Sequence, residues 1–167
     1  KLDVIDFSVP SDLIQPIMVR PFIETILAGL QLRLEQKGIR VTVALPSDMR
    51  VLAYEKYLEV VLENIIDNAI KYTVTGRGSG IEITAERKGS VVRMSVEDHG
   101  IGIPDADQGK IFEKFARAQN ALRSFPEGTG LGLFIVKRAT EAHPGGACGF
   151  QSVEGKGSTF WVEFRAG

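Results

Sequence analysis

The sequence predicts an α+β fold, a two-layer sandwich in which one mixed sheet packs on about three helices. Three observations carry that expectation. Apolar residues recur at helical spacing in three long stretches, shorter runs alternate apolar with polar residues, and clusters of Gly, Pro, Ser and Thr separate them. At 167 residues one core suffices, since a domain of this size buries roughly 70% of the surface its unfolded chain exposes.

The stretch 4–9 alternates loosely and is followed by Pro10, Pro16 and Pro21, so it reads as a short strand and an irregular approach to a helix. That helix extends to Lys37, with Phe22, Ile26, Leu30 and Leu34 at four-residue spacing, Ile23 and Leu27 beside them, and Gly38 as its left-handed stop. Val41, Val43 and Leu45 alternate over 40–45 and halt at Pro46, a half-buried strand; a second short strand, 51–53, follows a turn. The longest helical pattern, 54–72, carries a stripe of Leu58, Val61, Leu62, Ile65 and Ala69 and is the expected central helix. A Gly-, Thr- and Ser-rich link over 73–80 leads to a hairpin of 81–87 and 91–96. Regularity then breaks over 98–104, and 116–129 is polar with weak periodicity, a candidate mobile lid. A helix over 130–142 and a hairpin of 147–153 with 158–165 close the chain, and no segment repeats.

Composition excludes several classes of function. The net charge of −1 and a pI near 6.2 give no long-range attraction to nucleic acid or anionic lipid, although a small anion can still be held by backbone amides and a few cations. Cys148 is the lone cysteine, which rules out an internal disulfide and a cysteine-based zinc site and fits a reducing compartment. Apolar runs such as 60–62 and 132–136 fall far short of the roughly 20 residues that cross a bilayer. The chain begins at Lys1, so it is expected to be part of something longer.

Four segments carry chemistry. In Asn64-Ile65-Ile66-Asp67-Asn68-Ala69-Ile70-Lys71-Tyr72, residues Asn64, Asn68 and Lys71 fall on one helical face; this is either a solvated face or one holding a hard ligand, since an amide oxygen suits Mg²⁺. Asp98-His99-Gly100-Ile101-Gly102-Ile103-Pro104 ends a strand. It reads as a turn, or as a carboxylate that accepts from an adenine amino group while the glycines admit the ring. Gly128-Thr129-Gly130-Leu131-Gly132-Leu133 leads into a helix, and its amides with the helix dipole suit phosphates, although the spacing is neither that of the Walker loop nor of a dinucleotide fingerprint. Gly155-Lys156-Gly157-Ser158-Thr159-Phe160 is a tight turn into the last strand.

In this order the four match the N box and the three glycine boxes of the superfamily that includes gyrase, heat-shock chaperones and histidine kinases. Ile111-Phe112-Glu113-Lys114-Phe115-Ala116-Arg117 resembles the F box of the last group. Over essentially its whole length the chain resembles the catalytic domain of bacterial sensor histidine kinases. The resemblance implies a Bergerat-type fold with ATP between the central helix and the lid. By matched position, Asp98 would recognise the adenine amino group, with Gly100, Gly102 and Ile103 about the base, Thr159 reaching it through water and Tyr72 flanking it. Asn68 would coordinate Mg²⁺. Lys71 and the backbone of Thr129, Gly130, Leu131 and Gly132 would hold phosphates, and Arg117 would reach the terminal phosphate as the lid closes. Phe112 and Phe115 read as apolar hinges or as core, while His99 and His143 match no catalytic role. His99 and Pro144 depart from the common pattern and bear only on local loop shape.

Hydrolases of the superfamily carry a glutamate one helical turn before the metal-binding asparagine. Here that place is Asn64, which cannot act as a base, and Glu63 points about 100° away. The expectation is therefore phosphoryl transfer from ATP to a histidine on a dimerisation domain outside this chain, in two-component signalling with a response regulator. The isolated chain would not phosphorylate itself, because no helix hairpin bearing an acceptor histidine precedes the first strand. The same resemblance implies a cytoplasmic domain, whether or not its parent is membrane-anchored. The alternatives are a stand-alone protein-serine kinase of the anti-sigma-factor kind, against which the F box argues, and a non-catalytic ATP-binding regulator.

Overall fold

The computed structural model describes residues 6–76 and 80–167. A five-stranded mixed sheet in the order β2-β4-β5-β7-β6 packs one face on helices, so the expected two-layer sandwich forms. Its strands are β2 (Arg40–Ala44), β4 (Gly80–Lys88), β5 (Val91–Asp98), β6 (Ala147–Val153) and β7 (Gly157–Arg165); β2 and β4 run parallel and every other pair antiparallel.

The expectation of a single sheet needs correction. A second, two-stranded sheet pairs β1 (Gln15–Met18) with β3 (Arg50–Ala53). Pro16 lies in β1, tolerated because the strand is an edge and Pro has no N–H to give a further neighbour. The strand expected over 4–9 does not form over residues 6–9, and its first two residues lie outside the described ones. The 77–79 portion of the link before β4 lies outside them as well.

The first long helix is in fact two. α1 (Val19–Gly29) and α2 (Gln31–Lys37) meet at Leu30, whose φ of −106° and ψ of 2° leave the helical region just after Gly29. A mid-helix glycine costs about 1 kcal/mol relative to alanine, which makes this the cheapest place to break the helix. Gly38 ends α2 in the left-handed conformation, with φ of 64°.

The central helix α3 (Glu55–Tyr72) buries Leu58, Val61, Leu62, Ile65, Ile66, Ala69 and Ile70 against the inward residues of the sheet. Each large aliphatic side chain among them contributes roughly 1.5–3 kcal/mol by leaving water. α6 (Gly132–Glu141) packs alongside through Val136, Ala139 and Thr140. Two short helices, α4 (Asp105–Gln108) and α5 (Gln119–Ser124), lie between β5 and α6, and α5 falls inside the segment expected to be an irregular lid.

Candidate functional site

The four motif segments meet at one end of the sandwich, beyond the C-terminus of β5. α3 supplies the first wall. Its polar edge brings Asn64, Asp67, Asn68 and Lys71 to line a single cavity, with Tyr72 at the end of the helix. Asn64 Nδ2 donates to the Val60 carbonyl at 2.7 Å, which leaves its oxygen for the cavity side, where a Cβ on Gly132 would come within 2.8 Å of it. A side chain at 132 would fill that cradle.

Asp98 forms the floor. It is the last residue of β5, is 7% exposed, and takes the Gly100 N–H on Oδ1 at 2.9 Å and the Ser158 N–H at 3.3 Å. Burial pushes its carboxyl up from 3.8 to about 6, against those two donors and His99, which favour the charged form. It is therefore an ionised, desolvated acceptor at neutral pH. The loop after it is fixed by its surroundings. Thr73 bridges Gly100, Ile101 N–H donates to the Tyr72 carbonyl at 3.2 Å, and Gly155 N–H donates to the Ile101 carbonyl at 2.7 Å. Ser152 Oγ takes the Ile103 N–H at 2.8 Å. Gly102, with φ of 64°, presses so close to the Val153 carbonyl that no side chain fits there. The glycine turn before β7 thus serves as the seat of the Asp98 loop.

The third wall comes from the segment between Phe115 and α6. Thr129, Gly130 and Gly132 line the cavity. Gly130, at φ 71°, accepts the Phe115 N–H at 2.9 Å, and a Cβ there would sit 2.7 Å from Phe115 carbonyl carbon. Phe115 itself has φ of 65° and is 57% exposed, whereas Phe112 packs edge-on against Phe150 and Phe160. Phe112 thus packs against the core, whereas Phe115 is exposed and holds a left-handed backbone that a bulky residue rarely adopts.

Three of the sequence-derived site residues do not line the cavity. Gly100 lies behind Asp98 as a donor to it, and the Leu131 N–H donates to Thr129 Oγ1 at 3.3 Å. Thr159 lies on the opposite face of the sheet, because β7 turns Ser158, Phe160, Val162 and Phe164 inward; Ser158 and Phe160 occupy the cavity instead. Arg117 lines the cavity, yet its guanidinium is spent on the lid, donating to the carbonyls of Ala121, Phe125 and Pro126.

Sequence reasoning missed Asn120, whose Nδ2 ties the lid to the Gly102 carbonyl at 2.8 Å, and Phe125, which stands edge-on to Tyr72 at 5.4 Å. His143, expected to have no catalytic role, lies outside the cavity lining. That imidazole is buried between α6 and α3, with Nδ1 2.8 Å from the Ala139 carbonyl and Nε2 accepting the Tyr54 N–H at 2.9 Å. The paired contacts fix a neutral tautomer, and burial holds its pKa below the usual 6.5.

Comparison with known proteins shows the family and the fold. The family model for histidine kinase-, DNA gyrase B- and HSP90-like ATPases matches residues 53–167. The sensor histidine kinase AruS of Pseudomonas aeruginosa is 38% identical over 151 residues, a stretch that covers 88% of this chain and 15% of AruS. The catalytic domain of the histidine kinase ThkA, in a nucleotide-free form, superposes with a TM-score of 0.77 at 27% identity, covering 91% of this chain and 95% of that one. Full-length ShkA in complex with AMPPNP gives 0.75 at 32% identity, covering 92% of this chain and 32% of its own.

Proposed function

The chain belongs to the histidine kinase-, DNA gyrase B- and HSP90-like ATPase family, and we propose that within it this chain is the catalytic domain of a sensor histidine kinase. It binds ATP with Mg²⁺ and transfers the γ-phosphoryl group to a histidine on a dimerisation domain, from which a response regulator is then phosphorylated.

The observation that carries the kinase direction is Asn64. It lines the cavity where a hydrolase of the family has its water-activating carboxylate, and its amide is hydrogen-bonded to Val60 and has no useful basicity. Phosphoryl transfer asks mainly for position and charge stabilisation, and an imidazole is a good enough nucleophile without a base. Neither histidine of this chain suits the acceptor role: both ring nitrogens of His143 are engaged in the core, and His99 sits at the end of β5 against Gly80 and Glu97. Asp98 accepts from the adenine amino group, Lys71 and the amides about Gly130 and Gly132 hold phosphates, and Tyr72 flanks the base.

The residues fit Mg²⁺ of the kind that arrives with its nucleotide. Among the described residues no group of three His, Cys, Asp or Glu could cage a metal, whereas Asn68 offers one hard amide oxygen beside the phosphate-holding groups. Bound there, Mg²⁺ would neutralise charge developing on the β and γ oxygens. The kinship with sensor histidine kinases leads us to infer a cytoplasmic location; no helix among the described residues is long and apolar enough to cross a membrane.

The deciding test mixes the chain with labelled ATP and a supplied dimerisation domain. Acid-labile phosphate on the added domain is the expected result. Acid-stable label would favour a serine kinase, and binding without transfer a regulatory module. In calorimetry, Asn68→Ala is expected to remove the Mg²⁺ dependence of ATP affinity; if the dependence survives, the metal does not sit on Asn68.

A further inference from the structure

α2 lies outside the family-matched residues 53–167, yet it grips the very turn of α3 that carries Lys71. Lys37 Nζ donates to the carbonyls of Ile70 at 2.7 Å and Lys71 at 2.9 Å, closing the end of the helix. One turn earlier in α2, Arg33 Nη1 pairs with Asp67 Oδ1. Asp67 Oδ2 in turn lies 3.5 Å from Lys71 Nζ. Asp67 and Lys71 line the cavity, and Arg33 is not among the residues that do.

A carboxylate in the wall of a cavity that holds phosphates acts against them twice. It repels the anion, and it competes for the ammonium that should bind it. The Arg33 guanidinium offsets both effects by taking one oxygen of Asp67 for itself. We propose that Arg33 is a positioning residue that sets phosphate affinity by sharing Asp67 with Lys71, and so determines how readily Lys71 leaves its carboxylate for the nucleotide. The inference rests on the ATP-binding reading above. It is distinct from a general charge effect, because it runs through one carboxylate.

All members of the triad are partly exposed, with side chains 45%, 33% and 28% accessible for Arg33, Asp67 and Lys71, so the expected effects are moderate. Calorimetric affinities for ATP and for adenosine, measured on the unsubstituted chain, Arg33→Ala, Arg33→Lys, Asp67→Asn and the double variant, test the proposal. Arg33→Ala should weaken ATP roughly three- to tenfold and leave adenosine unchanged, with Arg33→Lys restoring most of the loss. Asp67→Asn should bind ATP at least as tightly as the unsubstituted chain. In that background, adding Arg33→Ala should change ATP affinity by less than about twofold. An equal loss in both backgrounds would reduce Arg33 to a distant charge and overturn the proposal, as would a parallel loss of adenosine binding. If the unsubstituted chain binds neither ligand, the nucleotide reading itself falls, and the proposal with it; ATP binding that is insensitive to all four variants rejects the proposal alone.

Discussion

Asp98 meets two opposed demands at the scale of one residue. Its carboxylate must be desolvated to be a strong acceptor, and desolvation is what raises its pKa to about 6 from 3.8. A carboxyl that holds its proton more tightly folded than unfolded favours folding at low pH and opposes it once ionised. The penalty therefore grows as pH rises from about 4 to 6 and reaches roughly 3 kcal/mol at neutrality. Asp98→Asn keeps an oxygen for the Gly100 and Ser158 amides while removing the charge. Thermal melts are expected to show the variant more stable than the parent at pH 7.5, with the gap closing toward pH 4. Calorimetry should show ATP binding about 10- to 150-fold weaker, since a charged hydrogen bond is worth about 1.5–3 kcal/mol. Unchanged affinity would reject the adenine role.

Between elements, His143 is the tie that matters most for the site. It joins the end of α6 to the Tyr54 N–H at the start of α3, the helix that brings Asn64, Asn68 and Lys71 to the cavity, and packs against Phe164 at 4.9 Å. His143→Phe keeps an aromatic ring and strands the buried Ala139 carbonyl and the partly buried Tyr54 N–H, so urea unfolding at pH 8 should show a loss of about 1–3 kcal/mol. The imidazole has a folded pKa below its unfolded 6.5, so its contribution is present above that pH and is lost as pH falls below it. The difference between parent and variant should shrink accordingly on acidification. A pH-independent difference would mean that packing, not the neutral tautomer, is what His143 supplies.

How far these elements were legible follows from how local their causes are. α3 and the two long hairpins are written in periodicity, and Gly38 in the left-handed stop, because each depends on residues a few positions apart. β1 was not readable: its partner β3 is more than thirty residues away, and Pro16 argues against a strand until one knows that it lies on an edge. The placing of Ser158 rather than Thr159 in the cavity was available in principle. Phe160, Val162 and Phe164 are the apolar set of β7, and period two carries that face back to Ser158.

Across the whole molecule the lid is the part least determined by local pattern. Arg117 gathers the carbonyls of Ala121, Phe125 and Pro126, Gln119 N–H is held by Asp107 at 3.0 Å, and Asn120 latches onto the Gly102 carbonyl. Few apolar groups back these bonds; Ala118 and Ala121 are the buried residues there. Such a segment opens at a lower free energy than the core. Arg117→Ala should hasten hydrogen exchange and proteolytic cleavage across 119–128 while leaving the melting temperature within about 2 °C, because the core does not depend on the lid. Protection unchanged by the substitution would show that Asn120 and Asp107 hold the lid without it.

By itself the sequence determined the sandwich and the order of the motif segments, because helical and strand periodicities and glycine-rich turns act over short distances. Tertiary structure alone decided which of those residues share a cavity. It committed Arg117 to the carbonyls of Ala121, Phe125 and Pro126, and set Arg33 and Lys37 of α2 against the turn that bears Lys71. The physical reason is that a side chain's partners across the fold are fixed by packing between distant segments, which leaves no period in the chain to read.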